Sequence, residues 1–175
     1  MEPQHVAISL DGEPTLYPRF LDVLRSATEM GFSHLQIATN GLRFAREDDF
    51  ARRCEDAGLH DIYLQFDGLT DAIYTKTRGR PLMDEKMRAV DRIMATDMKI
   101  VLVPTLVRGF NDHQVGDIVQ FALDRIETIS GISFQPVAFT GRIGREERLA
   151  QRYTLTDMAR DVSEQTGITN LYEDW

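Results

Sequence analysis

A single cysteine, Cys54, serves all 175 residues. That scarcity excludes an internal disulfide, a zinc site built on cysteines and any iron–sulfur cluster held by the chain's own thiolates. Cys54 falls in a segment of helical period and reads as an ordinary half-buried core thiol. Lysine is almost as rare, at Lys76, Lys86 and Lys99 only, the remaining basic residues being arginine; this fits a salt-adapted proteome and a GC-rich coding bias equally. No run approaches the roughly 20 apolar residues of a membrane span. The opening Met1-Glu2-Pro3-Gln4-His5 lacks the basic flank and apolar core of a secretory leader, so a cytoplasmic chain, not an integral membrane protein, is expected. No basic stripe accompanies the net charge of −8, which argues against a nucleic-acid partner. No Gly-x-Gly-x-x-Gly or Gly-x-x-x-x-Gly-Lys occurs, which removes the main support for a dinucleotide fold or a phosphate loop. His5, His34, His60 and His113 have no metal-ligand spacing, so no metal site is expected from them.

What is present is a regular alternation of apolar periods. With 42% hydrophobic residues the chain is long enough for one sizeable core, and residues 1–175 read as one domain. Period-two runs predict strands over His5–Leu10, His34–Ala38, Asp61–Phe66, Lys99–Val103 and Ile132–Gln135. Helical periods fall at Phe20–Met30, Asp48–Ala57, Asp84–Ala95, His113–Ile126 and about Leu155–Gln165, with Gly31 and Gly58 as C-terminal caps and a near capping box at Thr154–Asp157. Strands separated by helices imply an α/β fold with a parallel sheet, expected here to be covered on both faces.

In parallel α/β architectures ligands gather at the C-terminal ends of the strands. The first of these ends carries Asp11-Gly12-Glu13-Pro14. Gly12 permits close backbone approach, Glu13 offers a carboxylate to a cationic group and Pro14 stiffens the turn, although plain turn chemistry explains the tripeptide as well. The other ends carry Thr39-Asn40-Gly41, Gln65-Phe66-Asp67-Gly68, Pro104-Thr105 running to Asn111-Asp112, and Gln135-Pro136 running to Thr140-Gly141-Arg142. Gln65, Asp67 and Gln135 sit where a buried amide or carboxylate needs a partner, and a polar ligand would provide one. No lysine stands at a strand end to form a Schiff base. Glu47-Asp48-Asp49 reads as the charged first turn of a helix. Glu146 and Glu147 with Arg142, Arg145 and Arg148 read as a solvated ion-pair surface. Met83, Met87, Met94 and Met98 read as core packing, with a pliable lipid-contacting wall as the alternative.

Taken in order, these strand-end motifs from about His5 to Trp175 resemble the radical S-adenosylmethionine (SAM) superfamily, and within it the archaeal tetraether lipid synthase and pterin methyltransferase group. The resemblance implies a partial (β/α)6 TIM-like barrel, of which this chain supplies the second to sixth strands without the first. It implies that Gly12, Glu13 and Pro14 hold the methionyl amino group of SAM, with Asp11 standing where the family has its first glycine. By the same resemblance Thr39, Asn40, Gln65, Asp67 and Thr105 line the SAM cavity, and Gln135 and Pro136 edge its adenine side; apart from the resemblance, Arg142, close after the last strand-end loop, is placed to contact an anionic substrate, the ion-pair surface being the alternative. It further implies a [4Fe-4S] cluster and a reductant protein, a 5'-deoxyadenosyl radical acting on a C–H bond, and a small-molecule or lipid substrate, through carbon–carbon bond formation or pterin methylation. The family's Cys-x-x-x-Cys-x-x-Cys segment has no counterpart here. The chain is therefore expected to be inactive alone: a fragment or late-started reading frame, truncated at both ends, of a longer enzyme. Otherwise it is a degenerate remnant serving as a SAM-binding or subunit-docking module, with a partner chain pairing the open sheet edge.

Overall fold

The computed structural model describes residues 5–8, 12–139 and 144–174. Asp11 and Arg142 lie outside the described residues. Five parallel strands, β1 (His5–Ile8), β2 (His34–Thr39), β3 (Leu59–Gln65), β4 (Lys99–Val103) and β6 (Ile129–Ile132), form one sheet in that spatial order. Two short strands, β5 (Thr105–Leu106) and β7 (Gln135–Pro136), pair beyond the ends of β4 and β6. The helices are α1 (Phe20–Glu29), α2 (Leu42–Arg46), α3 (Phe50–Asp56), α4 (Asp71–Arg78), α5 (Met83–Met94), α6 (Val115–Leu123), α7 (Arg145–Gln151) and α8 (Leu155–Thr166).

The strand order never reverses, so successive right-handed crossovers place the helices on the same face. Burial follows from that. Leu35, Ile37, Ile62, Leu64, Ile100 and Leu102 point into one core with Phe20 and Leu24 of α1, Phe50 of α3, Val90 and Ile93 of α5 and Ile118 of α6. Residues of the opposite phase, such as Gln36, Tyr63, Val101 and Val103, stay half-buried. The expected covering of both faces is thus replaced by one helical layer and one open face, the inner wall of a partial barrel. A second cluster, Leu106, Val115, Tyr153 and Val162, fastens α8 to the end of the sheet.

The expected strand Ile132–Gln135 divides: Ile129–Ile132 continues the sheet beside β4, whereas Gln135–Pro136 pairs with Thr105–Leu106. Pro136 lacks an N–H, which suits a two-residue outer strand and not an extended ladder. Helices α2, α4 and α7 had no counterpart among the expected helices. α2 and α7 span only 5 and 7 residues, too short for a clear period. α4 opens after an exposed threonine and carries a largely polar face. Met98 is buried, but Met94 is 40% exposed; the core face of α5 is Lys86, Ala89, Val90 and Ile93. Cys54 is fully buried in α3, and burial pushes its thiol up to about 12.

Candidate functional site

The site assembles where β1, β2 and β3 end. Gly12, with φ of +96°, turns the chain after β1, and Glu13 caps the 3-10 turn Pro14–Leu16 by accepting from the Thr15 N–H at 3.2 Å. The same Oε1 accepts from Thr15 Oγ1 and from Thr39 Oγ1, both at 2.6 Å. Oε2 accepts from the Asn40 N–H at 2.7 Å. Glu13 therefore staples the loop after β1 to the loop after β2, and Oε2 keeps room for a further donor. Asn40 Oδ1 accepts from the Leu42 N–H at 2.9 Å, opening α2, while its side-chain NH2 has no partner among the described residues. Gly41 makes this junction possible: φ is +77°, and a Cβ there would lie 2.4 Å from Leu64 Cδ1.

A cleft of about 420 Å³ opens on the inner face, lined by Gly12, Glu13, Ala38, Thr39, Asn40, Tyr63, Gln65, Val103 and Gln135. Its size falls within the range of small-molecule sites, about 300–1,000 Å³. The wall is apolar at Ala38, Tyr63 and Val103, and the polar groups converge from the rims. A second cavity of about 400 Å³ shares Glu13 and Asn40 and continues past Thr15 and Leu42 to Arg43 and Arg46.

Six of the ten residues expected to bind the cofactor meet in the cleft: Gly12, Glu13, Thr39, Asn40, Gln65 and Gln135. Pro14 is buried behind the loop. Thr105 and Pro136 belong to the short paired strands at its edge. Asp67 departs from expectation. Its side chain is fully buried but needs no ligand, because Arg78 Nε donates to Oδ2 at 2.7 Å and Gln65 Nε2 donates to the same oxygen at 3.3 Å. Gln135 is exposed, not a buried amide awaiting a partner.

Three residues escaped the sequence reading. Lys86, only 1% exposed, brings its ammonium to the strand ends and donates to Asn40 O at 2.6 Å and Gln65 O at 2.7 Å. A lysine does therefore stand at the strand ends, delivered by a helix. Burial pulls its pKa down to about 8, against the opposing pull of Asp67. Burying an ammonium costs several kcal/mol before compensation, so both hydrogen bonds are needed to hold it there. Asn111, also fully buried, donates to Asp67 O at 2.9 Å and Thr105 O at 2.8 Å and accepts from the Val107 N–H. Tyr74 donates to Gly68 O at 2.9 Å, and burial raises its pKa. The only available sequence signal was Lys86 occupying an otherwise apolar helical face.

Comparison with known proteins gives this geometry a family. Residues 2–122 match the profile of the Radical SAM superfamily. The chain is 40% identical over 156 residues to 7,8-dihydro-6-hydroxymethylpterin dimethyltransferase of Methanocaldococcus jannaschii, covering 89% of this chain and 31% of that protein. It is 24% identical over 165 residues to GTP 3',8-cyclase of Paracoccus denitrificans, covering 93% of this chain and 46% of that protein. The chain thus spans less than half the length of these relatives. Among solved structures it resembles a domain of pyruvate-formate lyase-activating enzyme from Bacteroides vulgatus, with TM-score 0.66, 14% identity and coverage of 93% of this chain and 94% of that one. It also resembles anSMEcpe with bound AdoMet, with TM-score 0.64, 14% identity and coverage of 91% and 43%. The chain belongs to the radical SAM superfamily, whose members use SAM and a [4Fe-4S] cluster.

Proposed function

We propose that this chain is the SAM-binding part of a radical SAM enzyme that acts on an unactivated C–H bond of a small molecule. The observation that carries this reading is the cleft: a carboxylate oxygen and an Asn40 NH2, each with hydrogen-bonding capacity that no described residue takes up, converge with an apolar wall on the open face. That set suits a molecule with a cationic amino-acid end and a planar heterocycle. Glu13 and Gly12 take the amino-acid end, Thr39, Asn40 and Gln65 line the middle, and Gln135 edges the heterocycle beside Thr105 and Pro136. The buried Asp67 acts behind this wall, through Gln65 and Arg78. Arg142 is retained as a candidate contact for an anionic substrate group.

The cluster does not fit the residues of this chain. Its one cysteine is fully buried with a raised pKa, the reverse of what a thiolate ligand requires. A bound cluster would supply an electron for reductive cleavage of SAM, and its ligands would have to come from polypeptide outside these 175 residues, on the same chain or on a partner. The outer edge of β1 would then be paired by an additional strand. The 40% identity to a pterin dimethyltransferase favours a pterin-like substrate over lipid chains. The intrinsic cysteine deficit favours one alternative, a SAM-binding module without radical chemistry.

Titration calorimetry of the chain with SAM tests the cleft. Wild type should bind, and Glu13→Gln, confirmed folded, should bind at least tenfold more weakly; equal affinity would remove the loop from the site. The intact mass of the native polypeptide separates the two readings. A mass well above 20.0 kDa, with a cysteine triad in the added sequence, identifies the enzyme; a matching mass with no cysteine-bearing partner identifies the module. No helix among the described residues is long and apolar enough to cross a membrane.

A further inference from the structure

Where β2 and β3 part, the register of the pair ends at Thr39 and Leu64. The next carbonyls, of Asn40 and Gln65, are the point at which the sheet opens into the cleft, and both are bound by one ammonium. We propose that Lys86 is a positioning residue of the cleft: it bridges the two diverging strand ends and so sets the spacing between the Asn40 amide that Glu13 holds and the side chain of Gln65.

The helix geometry explains how a core position reaches this point. α5 crosses over from β3 to β4, so its N-terminus lies at the C-terminal ends of the strands. Side chains lean toward the N-terminus of their helix, and Lys86 is the member of the Lys86, Ala89, Val90, Ile93 face nearest that end. Its four-carbon stem lies in the core, and only the ammonium meets polar atoms. An apolar residue there would leave the two carbonyls without this donor at the end of the ladder.

The charged groups around it also frame the cleft. Asp67 follows β3 and Glu13 precedes β2; both act on the ammonium, as do Arg78 of α4 and Glu85 of α5 itself. The Tyr74 ring of α4 faces it at 5.8 Å. Lys86 thus faces three acidic groups, Glu13 lining the cleft, Asp67 behind it and Glu85 on its own helix, and a neutral side chain would leave Asp67 to its pairing with Arg78. The depressed pKa is consistent with this setting but is not needed for the geometric argument.

This proposal rests on the cleft being the SAM site, and the experiment separates the two. In the 175-residue chain, Lys86→Met should fold with a cooperative transition. Amide-exchange protection at Asn40 and Leu42 should fall at least tenfold while that at Ile37 and Ile62, mid-strand, is unchanged, and SAM should bind at least tenfold more weakly. In wild type, protection at Asn40 and Leu42, corrected for intrinsic rates, should drop as pH rises from 7 to 9, and the variant should show no such step. Unchanged protection at these amides in the variant would overturn the proposal whether or not SAM binds. Loss of SAM binding by wild type itself would instead defeat the reading of the cleft, leaving the exchange data to judge Lys86. If Lys86→Met does not fold, Lys86→Gln replaces it in the same exchange comparison: protection at Asn40 and Leu42 should fall selectively, and protection equal to wild type at both amides would overturn the proposal.

Discussion

Glu13 is the residue on which the two loops depend, because its carboxylate accepts four hydrogen bonds from donors contributed by Thr15, Thr39 and Asn40. Replacement by glutamine converts one oxygen to a donor, and in either amide orientation that donor faces N–H or O–H groups. The expected outcome for Glu13→Gln is a loss of about 1–3 kcal/mol of stability, read by urea denaturation, in addition to the weaker SAM binding. A loss below about 0.5 kcal/mol would mean that the staple forms only with ligand present. Glu13 was legible in the sequence because an acid flanked by Gly and Pro directly follows an apolar run. Lys86 was not, because its partners lie 46 and 21 positions away; Asn111 has local partners in Val107 and Thr105, but its bond to Asp67 O spans 44 positions, and neither distance nor direction of such bonds can be read from local pattern. Asp67 was found for the wrong reason, since its partner is Arg78 on the next helix, not a ligand.

At the scale of elements, the sequence readily revealed the strands that carry β-branched and leucine-rich runs, and β4 appears at its expected bounds, Lys99–Val103. Polar or very short elements such as α4, β5 and β7 were hidden, because a two-residue strand exists only through its partner. The junction between β2 and α2 offers a sharp comparison. Gly41→Ala must hold a positive φ and place its Cβ against Leu64, a fully buried side chain with little freedom to yield. A destabilisation of about 2–4 kcal/mol is expected. Gly12→Ala shares the positive φ, but its Cβ would meet nothing within 4 Å, so about 1 kcal/mol is expected. Parallel denaturation curves measure both, and equal losses would show that conformation alone, not packing, requires glycine at Gly41. At the far end of the chain, Thr154 caps α8 in a capping box with Asp157. The Thr154 hydrogen bonds, aided by Arg108, hold the Asp157 carboxyl down at about 2. Thr154→Ala should cost about 1 kcal/mol near neutral pH. That contribution should fade as pH falls from about 4 to 2, where Asp157 protonates.

For the whole molecule, a singly wound sheet leaves one face for ligands, and the core therefore lies wholly between sheet and helices. Four described titrating groups in or beside the buried clusters make stability depend on alkaline pH in a way that isolates Lys86. Its pKa is lowered from 10.5 to about 8, so between those values the unfolded chain binds the extra proton and stability rises with pH. The full penalty is present below pH 8 and relieved above 10.5. Cys54 works in the opposite sense: raised from 9.0 to about 12, it keeps its proton in the folded state and lowers stability once pH passes 9. Tyr74 and Tyr153, both raised by burial, add to that decline above pH 10. The sum is a wild-type stability that climbs by about 1 kcal/mol from pH 7 to 9 and then falls. Subtracting the curve of Lys86→Met removes every group the two proteins share, including the carboxylates behind the net charge of −8. The difference, measured by urea denaturation at half-unit pH steps, should favour the variant most at pH 7 and narrow steadily toward pH 10. A difference that stays constant across this range would show that Lys86 keeps an ordinary lysine pKa inside the fold, and that the strand-end carbonyls and nearby acids fully compensate its burial.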